Sequence, residues 1–130
     1  MDSQKSMYEL LGGEPVLRAL VKRFYEVMDT LPEAQGIRQM HPTPLTSSEE
    51  KLFMFLSGWL GGPSLFVEKF GHPRMRARHM PFKISKSERD QWMLCMVQAF
   101  DDLKIQDPIR SDLLYSLLNL ADHMRNQPED

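Results

Sequence analysis

The sequence lacks the features that mark secreted, membrane-spanning or nucleic-acid-binding proteins. Its 130 residues include a single cysteine, Cys95, so no disulfide can form within the chain. No apolar run approaches the roughly 20 residues that cross a bilayer, and the N-terminus does not resemble a secretory signal. The formal charge of −2 argues against a nucleic-acid partner, because such domains are usually basic. We expect a cytoplasmic protein of one domain, residues 1–130, with frayed tails at 1–6 and 125–130.

The sequence also lacks the two-residue alternation of β-branched side chains that is typical of strands. Apolar residues instead recur at spacings of three and four, as in the segment VLRALVKRFYEVM. Thr46 with Glu49, and Ser85 with Glu88, have the spacing of capping boxes at helix starts. The pattern predicts an all-α fold with four substantial helices, at about residues 15–30, 46–60, 85–103 and 108–124.

Several kinds of catalytic or metal site are disfavoured. The four histidines are far apart and none has the spacing of a zinc site. Cys95 lies in a strongly apolar helix, where a thiol is usually inert. The Gly61-Gly62-Pro63 sequence ends a helix, whereas a phosphate-binding loop would begin one. These observations leave a cofactor held by a single histidine.

The segment GHPRMRARHMPF, residues 71–82, contains two histidines and three arginines. Haem iron needs one axial imidazole, an apolar slot and cations near the two propionates. His79 meets these needs best, because it ends a short basic stretch and apolar residues follow it. His72 and His41 each precede a proline, and His123 lies near the end of the last helix. From the residues alone, a solvated basic turn remains an alternative, as does a cavity-facing role for His41.

Five segments, in this order, resemble a truncated haemoglobin of group II: LGGEPVLRALVKRFYEVM, PEAQGIRQMHP, KLFMFLSGWLGGP, GHPRMRARHMPFKIS and RDQWMLCM. The resemblance covers roughly residues 7–124. It implies the truncated globin fold, a two-over-two sandwich in which four helices form two antiparallel pairs around haem b. It also implies that the iron binds O2, CO and NO.

The resemblance assigns roles to residues around the iron. His79 would be the proximal ligand. Tyr25 would lie on the distal side and hydrogen-bond the bound ligand, and Trp92 would offer its indole N–H to the same ligand. His41 stands where many relatives have tyrosine or phenylalanine, so it is a further candidate donor that titrates near neutral pH. Ser48 takes the position of the classical distal histidine, whose contact is therefore missing.

Other residues are expected to contact the haem itself. Leu52 and Phe55 would form an apolar distal wall. Lys51, Arg76 and Arg78 are candidates for binding the propionates. The remaining expected contacts are Met75, Phe82, Trp92 and Met96.

Several donors near a bound ligand would slow the release of O2, which suits chemistry better than transport. The leading hypothesis is a haem protein that binds O2 tightly and detoxifies reactive nitrogen or oxygen species. It would act as an NO dioxygenase or a peroxidase, with a separate reductase. The alternatives are a non-enzymatic oxygen store, a gas or redox sensor, and a helical interaction module without haem. The expected assembly is a monomer or a homodimer.

Overall fold

The computed structural model describes residues 5–128, and within this range every regular element is a helix. The predicted all-α class is therefore confirmed. None of the helices in this range is long and apolar enough to span a bilayer. In chain order they are α1 (Met7–Leu11), α2 (Gly13–Thr30), a 3-10 turn (Pro32–Ala34), α3 (Gln35–Arg38), α4 (Thr46–Trp59), α5 (Leu65–Phe70), α6 (Met75–His79), α7 (Lys86–Asp102) and α8 (Ile109–His123).

Helices α2 and α4 form the first antiparallel pair. The guanidinium of Arg18, near the start of α2, lies 3.9 Å from the centroid of the Phe53 ring. Tyr8, which precedes α2, donates its backbone N–H to the carbonyl of Leu60, just after α4, at 2.9 Å. The start of α2 therefore faces the end of α4.

Helices α7 and α8 form the second antiparallel pair. Arg89, near the start of α7, pairs with Asp122 near the end of α8 at 2.7 Å. Asp101, at the end of α7, pairs with Arg110 near the start of α8 at 2.5 Å. Because α2 also packs along α7, the two pairs stack on each other as a two-over-two sandwich.

Large apolar side chains hold the sandwich together. Phe24 of α2 and Phe100 of α7 are fully enclosed, and Phe53 of α4 is 2% exposed. Burying a side chain of this size stabilises a fold by roughly 1.5–3 kcal/mol. The apolar face predicted for residues 16–28 is the face of α2 that packs into this core.

One of the two predicted capping boxes forms. The Ser85–Glu88 box forms at the start of α7, where Ser85 donates its backbone N–H to Glu88 Oε1 at 2.7 Å. The Thr46–Glu49 box does not form. Leu45 enters α4 with ψ near 0°, so Thr46 is already helical and its side chain cannot cap. The sequence analysis missed α1, which a box of Ser6 and Glu9 starts.

The two tails were predicted to fray, and residues 1–4 and 129–130 of them lie outside the described range. The described parts are hydrogen-bonded. Ser6 caps α1, and Asn126 donates its backbone N–H to the carbonyl of Ile84 at 2.9 Å. The chain after α8 is thus fixed to the segment between α6 and α7.

Candidate functional site

A cavity of about 480 Å³ lies between the two helix pairs and α6. This volume is within the range of roughly 300–1,000 Å³ found for small-molecule and cofactor sites. Most of the predicted site residues line it: Tyr25, His41, Ser48, Lys51, Leu52, Phe55, Met75, Arg78, His79, Phe82 and Trp92.

His79 is the last residue of α6 and is oriented by its own helix. Its Nδ1 lies 2.6 Å from the carbonyl oxygen of Met75, one turn earlier. A carbonyl oxygen only accepts, so Nδ1 must carry the hydrogen, and in the neutral ring Nε2 keeps a free lone pair. Nε2 has no hydrogen-bond partner anywhere in residues 5–128. An imidazole fixed through Nδ1 with a free Nε2 is the arrangement that binds a metal.

His41 is held in a similar way, by its Nδ1 at 2.8 Å from the carbonyl of Ile37. Burial lowers the pKa of His41, and the positive charge of Arg38 lowers it further, against the raising effect of the Ile37 hydrogen bond. The ring is therefore neutral at pH 7, and its Nε2 is an acceptor. It can donate a hydrogen bond from Nε2 only when it is protonated.

Tyr25 and Trp92 reach the cavity from α2 and α7 on either side of Phe24. The Phe24 ring centroid is 4.9 Å from that of Tyr25 and 5.1 Å from that of Trp92. Burial raises the pKa of Tyr25, and the charge of Glu49 adds to this rise, so the hydroxyl stays protonated at neutral pH. Neither this hydroxyl nor the indole N–H of Trp92 has a hydrogen-bond partner in the described chain.

Both donors are therefore available to a guest molecule. Every fully enclosed side-chain N or O atom among the described residues has a hydrogen-bond partner. Since the Tyr25 hydroxyl has none, it is not fully enclosed. Because Tyr25 as a whole is only 6% exposed, the open side of its hydroxyl faces the cavity.

Lys51 and Arg78 are two of the cations on the cavity wall. The Lys51 Nζ is 5.9 Å from the Phe70 ring centroid, and the Arg78 guanidinium carbon is 5.0 Å from that of Phe66. Arg78 also donates from Nε to the carbonyl of Pro73 at 2.6 Å. Within the described range neither cation pairs with a carboxylate. They can therefore neutralise the acidic groups of a ligand.

Two predicted contacts are not in the cavity wall. Arg76 turns away, and its Nη1 donates to the carbonyls of His123 at 2.6 Å and Arg125 at 3.1 Å. The guanidinium of Arg76 is thus engaged by the chain and does not face the cavity. Met96, one turn beyond Trp92, is fully enclosed in the core. The cavity ends before that turn of α7.

The sequence analysis missed several wall residues. Glu88 and Arg89 precede Trp92 by one turn of α7, and this spacing was a usable signal. Arg89 pairs with Asp122 at 2.7 Å and with Asp90 at 3.0 Å, unlike Lys51 and Arg78. The remaining missed residues come from short or distant segments: Ile37, Met40, Pro42, Phe66, Leu120, Ala121 and Met124. Ile84, one of the apolar residues expected just beyond His79, also lines the cavity.

The other candidate groups lie elsewhere. His72 is exposed, and its Nδ1 accepts the backbone N–H of Arg74 at 3.1 Å. Burial raises the pKa of Cys95 to about 11, so its thiol is protonated at neutral pH. No group of three or more histidine, cysteine or acidic residues in the described range could hold a metal ion by itself.

These observations fit haem. One free imidazole nitrogen meets the need for an axial ligand, and the apolar wall meets the need for a macrocycle slot. Two unpaired cations meet the need for propionate partners.

Comparison with known proteins gives a consistent result. The family model described as bacterial-like globin matches residues 6–126. Among curated proteins, the group 2 truncated hemoglobin YjbI of Bacillus subtilis is 40% identical over 94% of this chain and 89% of its own length.

Solved structures show the same likeness. The group II 2-on-2 hemoglobin of Agrobacterium tumefaciens has a TM-score of 0.92 at 45% identity, over 98% of this chain and all of that one. A truncated oxygen-avid haemoglobin from Bacillus subtilis has a TM-score of 0.86 at 39% identity, over 94% of this chain and all of that one. The two-over-two arrangement of α2, α4, α7 and α8 is the arrangement in the name of the first.

Proposed function

Because the chain belongs to the bacterial-like globin family, and is thereby a haem protein that binds oxygen, we propose that it holds haem b through His79 and detoxifies reactive nitrogen or oxygen species. The bound haem would supply an iron that takes up O2, CO or NO and the redox chemistry that acts on them. The remaining steps depend on the chain's own residues. We infer that this protein works in the cytoplasm as a monomer or homodimer, with a separate reductase.

His79 would hold the iron through Nε2, and the hydrogen bond from Nδ1 to the Met75 carbonyl fixes the plane of the ring. This bond at 2.6 Å also makes the imidazole a better electron donor. Lys51 and Arg78 bind the two propionates, since they are the cavity-wall cations without carboxylate partners. Leu52 and Phe55 exclude water from the distal side.

Tyr25 and Trp92 donate hydrogen bonds to the diatomic ligand. This pair is the observation that carries the proposal, because both donors line the cavity and neither has a hydrogen-bond partner in the described chain. Donors aimed at developing negative charge in such a site stabilise it strongly. The neutral His41 ring lies beside Tyr25, with the two ring centroids 5.7 Å apart, and the single hydroxyl hydrogen of Tyr25 is kept for the ligand.

Slow release of O2 favours reaction over delivery. We therefore propose the conversion of NO to nitrate as the primary activity, in which both atoms of O2 join NO. The haem would supply the one electron that each nitrate requires, and the separate reductase would replace it. Peroxidase-type turnover would use the same donors to assist cleavage of the O–O bond. A non-enzymatic oxygen store or sensor remains the competing function.

The first experiment tests haem ligation. Absorption spectra are recorded for the ferric, ferrous and ferrous-CO protein, for His79→Ala and for the matched control His72→Ala. We expect a Soret band that shifts with CO in the parent and in His72→Ala, and its loss or alteration in His79→Ala. Equal spectra for the two variants would exclude His79 as the ligand.

The second experiment tests the chemistry. The oxygenated protein is mixed with NO, and nitrate is measured together with the oxidation of the iron. One nitrate per haem is expected, with turnover when a reductant is added. Unreacted NO alongside an intact oxygenated spectrum would favour the oxygen store.

A further inference from the structure

Helix α6 carries His79 but is fixed by few buried contacts. It has only five residues, and none of them is buried. The helices that carry Tyr25 and Trp92, α2 and α7, bury seven and four residues respectively. Burial therefore orients the distal donors, whereas α6 needs another means of attachment.

Hydrogen bonds from Asn126 supply this attachment. Its side-chain amide Nδ2 donates to the carbonyls of His79 at 3.2 Å and Phe82 at 2.8 Å. Its Oδ1 accepts the backbone N–H of Ile84 at 2.9 Å. The backbone N–H of Asn126 donates to the carbonyl of Ile84, also at 2.9 Å. Both hydrogens of the amide and its oxygen are thus used on residues 79–84.

A second contact holds the other end of α6. Arg76 donates to the carbonyls of His123 and Arg125, which lie just before Asn126. The C-terminal segment, residues 123–126, therefore bonds to both sides of His79. The carbonyl of a helix's last residue has no partner within the helix. The His79 carbonyl accepts the backbone N–H of Phe82 at 3.0 Å as well as the Asn126 amide, so Asn126 joins the turn that closes α6.

We propose that Asn126 is a positioning residue for the iron ligand, holding the end of α6 so that the His79 imidazole faces the cavity in one orientation. This inference rests on the proposed haem ligation by His79. Asn126 acts through the backbone of His79 and Phe82 and does not touch the haem iron. Its loss would let the ring tilt, which changes the iron–histidine bond and leaves the distal donors in place.

The test uses the holoprotein with two substitutions. Asn126→Leu keeps the approximate volume and removes the three side-chain bonds to residues 79–84, together with the bond that Oδ1 accepts from Gln127 Nε2 at 3.1 Å. Asn126→Asp keeps the acceptor for the Ile84 N–H and removes the donors to His79 and Phe82. The matched control is Asn119→Leu, because Asn119 is an exposed asparagine of α8 whose side chain makes no hydrogen bond to a described residue.

Resonance Raman spectra separate the proximal and distal effects. Both Asn126 variants should shift or broaden the iron–histidine stretching band of the ferrous protein, and change the CO association rate at least threefold. The C–O stretching band of the CO complex, which reports on Tyr25 and Trp92, should stay unchanged. An unchanged iron–histidine band in both variants would overturn the proposal, because a merely structural contact would leave that band in place.

Amide hydrogen exchange gives a readout that does not need the haem. The Ile84 amide should exchange at least tenfold faster in Asn126→Leu and at the parent rate in Asn119→Leu. Equal rates in the two would show that Asn126 does not hold this segment and would overturn the proposal. If the parent shows no Soret band, the proposed function fails, but faster Ile84 exchange would still establish the attachment. If Asn126→Leu loses haem, the band in Asn126→Asp decides.

Discussion

The two sides of the cavity are built by different means. The distal side, with Tyr25 and Trp92, stands on α2 and α7, which pack against each other along their length. The proximal side, with His79, stands on the short helix α6, in which no residue is buried. Two kinds of hydrogen bond hold α6 there: Arg76 of α6 donates to the carbonyl of His123, and Asn126 donates to the carbonyl of His79.

Because of this difference, the residues that stabilise the fold are separate from those that position the iron ligand. A long helix with a buried face keeps its position because moving it would expose apolar surface. A short exposed helix keeps its position only while a few hydrogen bonds last, each worth about 0.5–1.5 kcal/mol. We therefore expect the loss of a buried ring on the distal side to destabilise the fold, and substitutions on the proximal side to affect mainly the iron ligand.

The largest effect should come from the buried ring between the two distal donors. Phe24→Ala should lower the free energy of unfolding by about 3–5 kcal/mol, since it leaves a cavity in a close-packed core. Phe24 is fully enclosed, whereas Phe82 on the proximal side is 41% exposed. Urea denaturation of the apoprotein measures the free energy of unfolding of Phe24→Ala and of the comparison variant Phe82→Ala. A similar loss in the two variants would break the distinction between the two sides.

Removal of the distal hydroxyl should affect the bound ligand more than the fold. Tyr25→Phe should speed the dissociation of O2 on the order of 10- to 100-fold, because a hydrogen bond to a charged partner contributes roughly 1.5–3 kcal/mol. The hydroxyl has no partner in the described chain, so the urea midpoint should hardly change. Stopped-flow kinetics measures the rate, with the exposed Tyr115→Phe as control. An unchanged rate would remove Tyr25 from the proposed mechanism.

His41 predicts a pH dependence of stability in the apoprotein. Burial lowers the pKa of His41 in the folded state, so the unfolded chain takes up the proton first as the pH falls. The free energy of unfolding should therefore be full above the ordinary histidine pKa of about 6.5 and decline below it. The decline should level off once the folded state is also protonated.

His41→Phe should lack this part of the decline, and His72→Phe should keep it. Urea titrations between pH 8 and pH 5 measure the slopes. A parent slope that persists in His41→Phe would mean that another group carries it.

The smallest effect should come from the surface pair that links α2 to α7. Hydrogen bonds from Arg23 and Gln98 lower the pKa of Asp102, so its contribution exists at neutral pH and is lost as the pH falls below the usual aspartate range. Asp102→Asn should lower the urea midpoint slightly, and added salt should reduce the difference, because exposed pairs are screened. A large loss would indicate that charge, as well as burial, joins the two helix pairs.

The sequence predicted the elements whose signals are local. The repeat of apolar residues gave α2, α4, α7 and α8, and the Ser85–Glu88 spacing gave the start of α7. The sequence also identified eleven residues of the cavity wall, because these follow from the family's motif order. The Thr46–Glu49 box has the right spacing and still fails, because the torsions of Leu45 place Thr46 inside the helix.

What the sequence by itself determined was therefore the helical class, the family and the identity of the residues with donor or ligand atoms. Only the tertiary structure decided which of these face the same space. Arg76 and Arg78 are two residues apart, yet one bonds to the chain after α8 and the other lines the cavity. Residues two apart on a helix point about 200° apart, and a partner 47 positions away leaves no local trace. The role of Asn126 is hidden for the same reason, since its partners become neighbours only when α8 folds back onto α6.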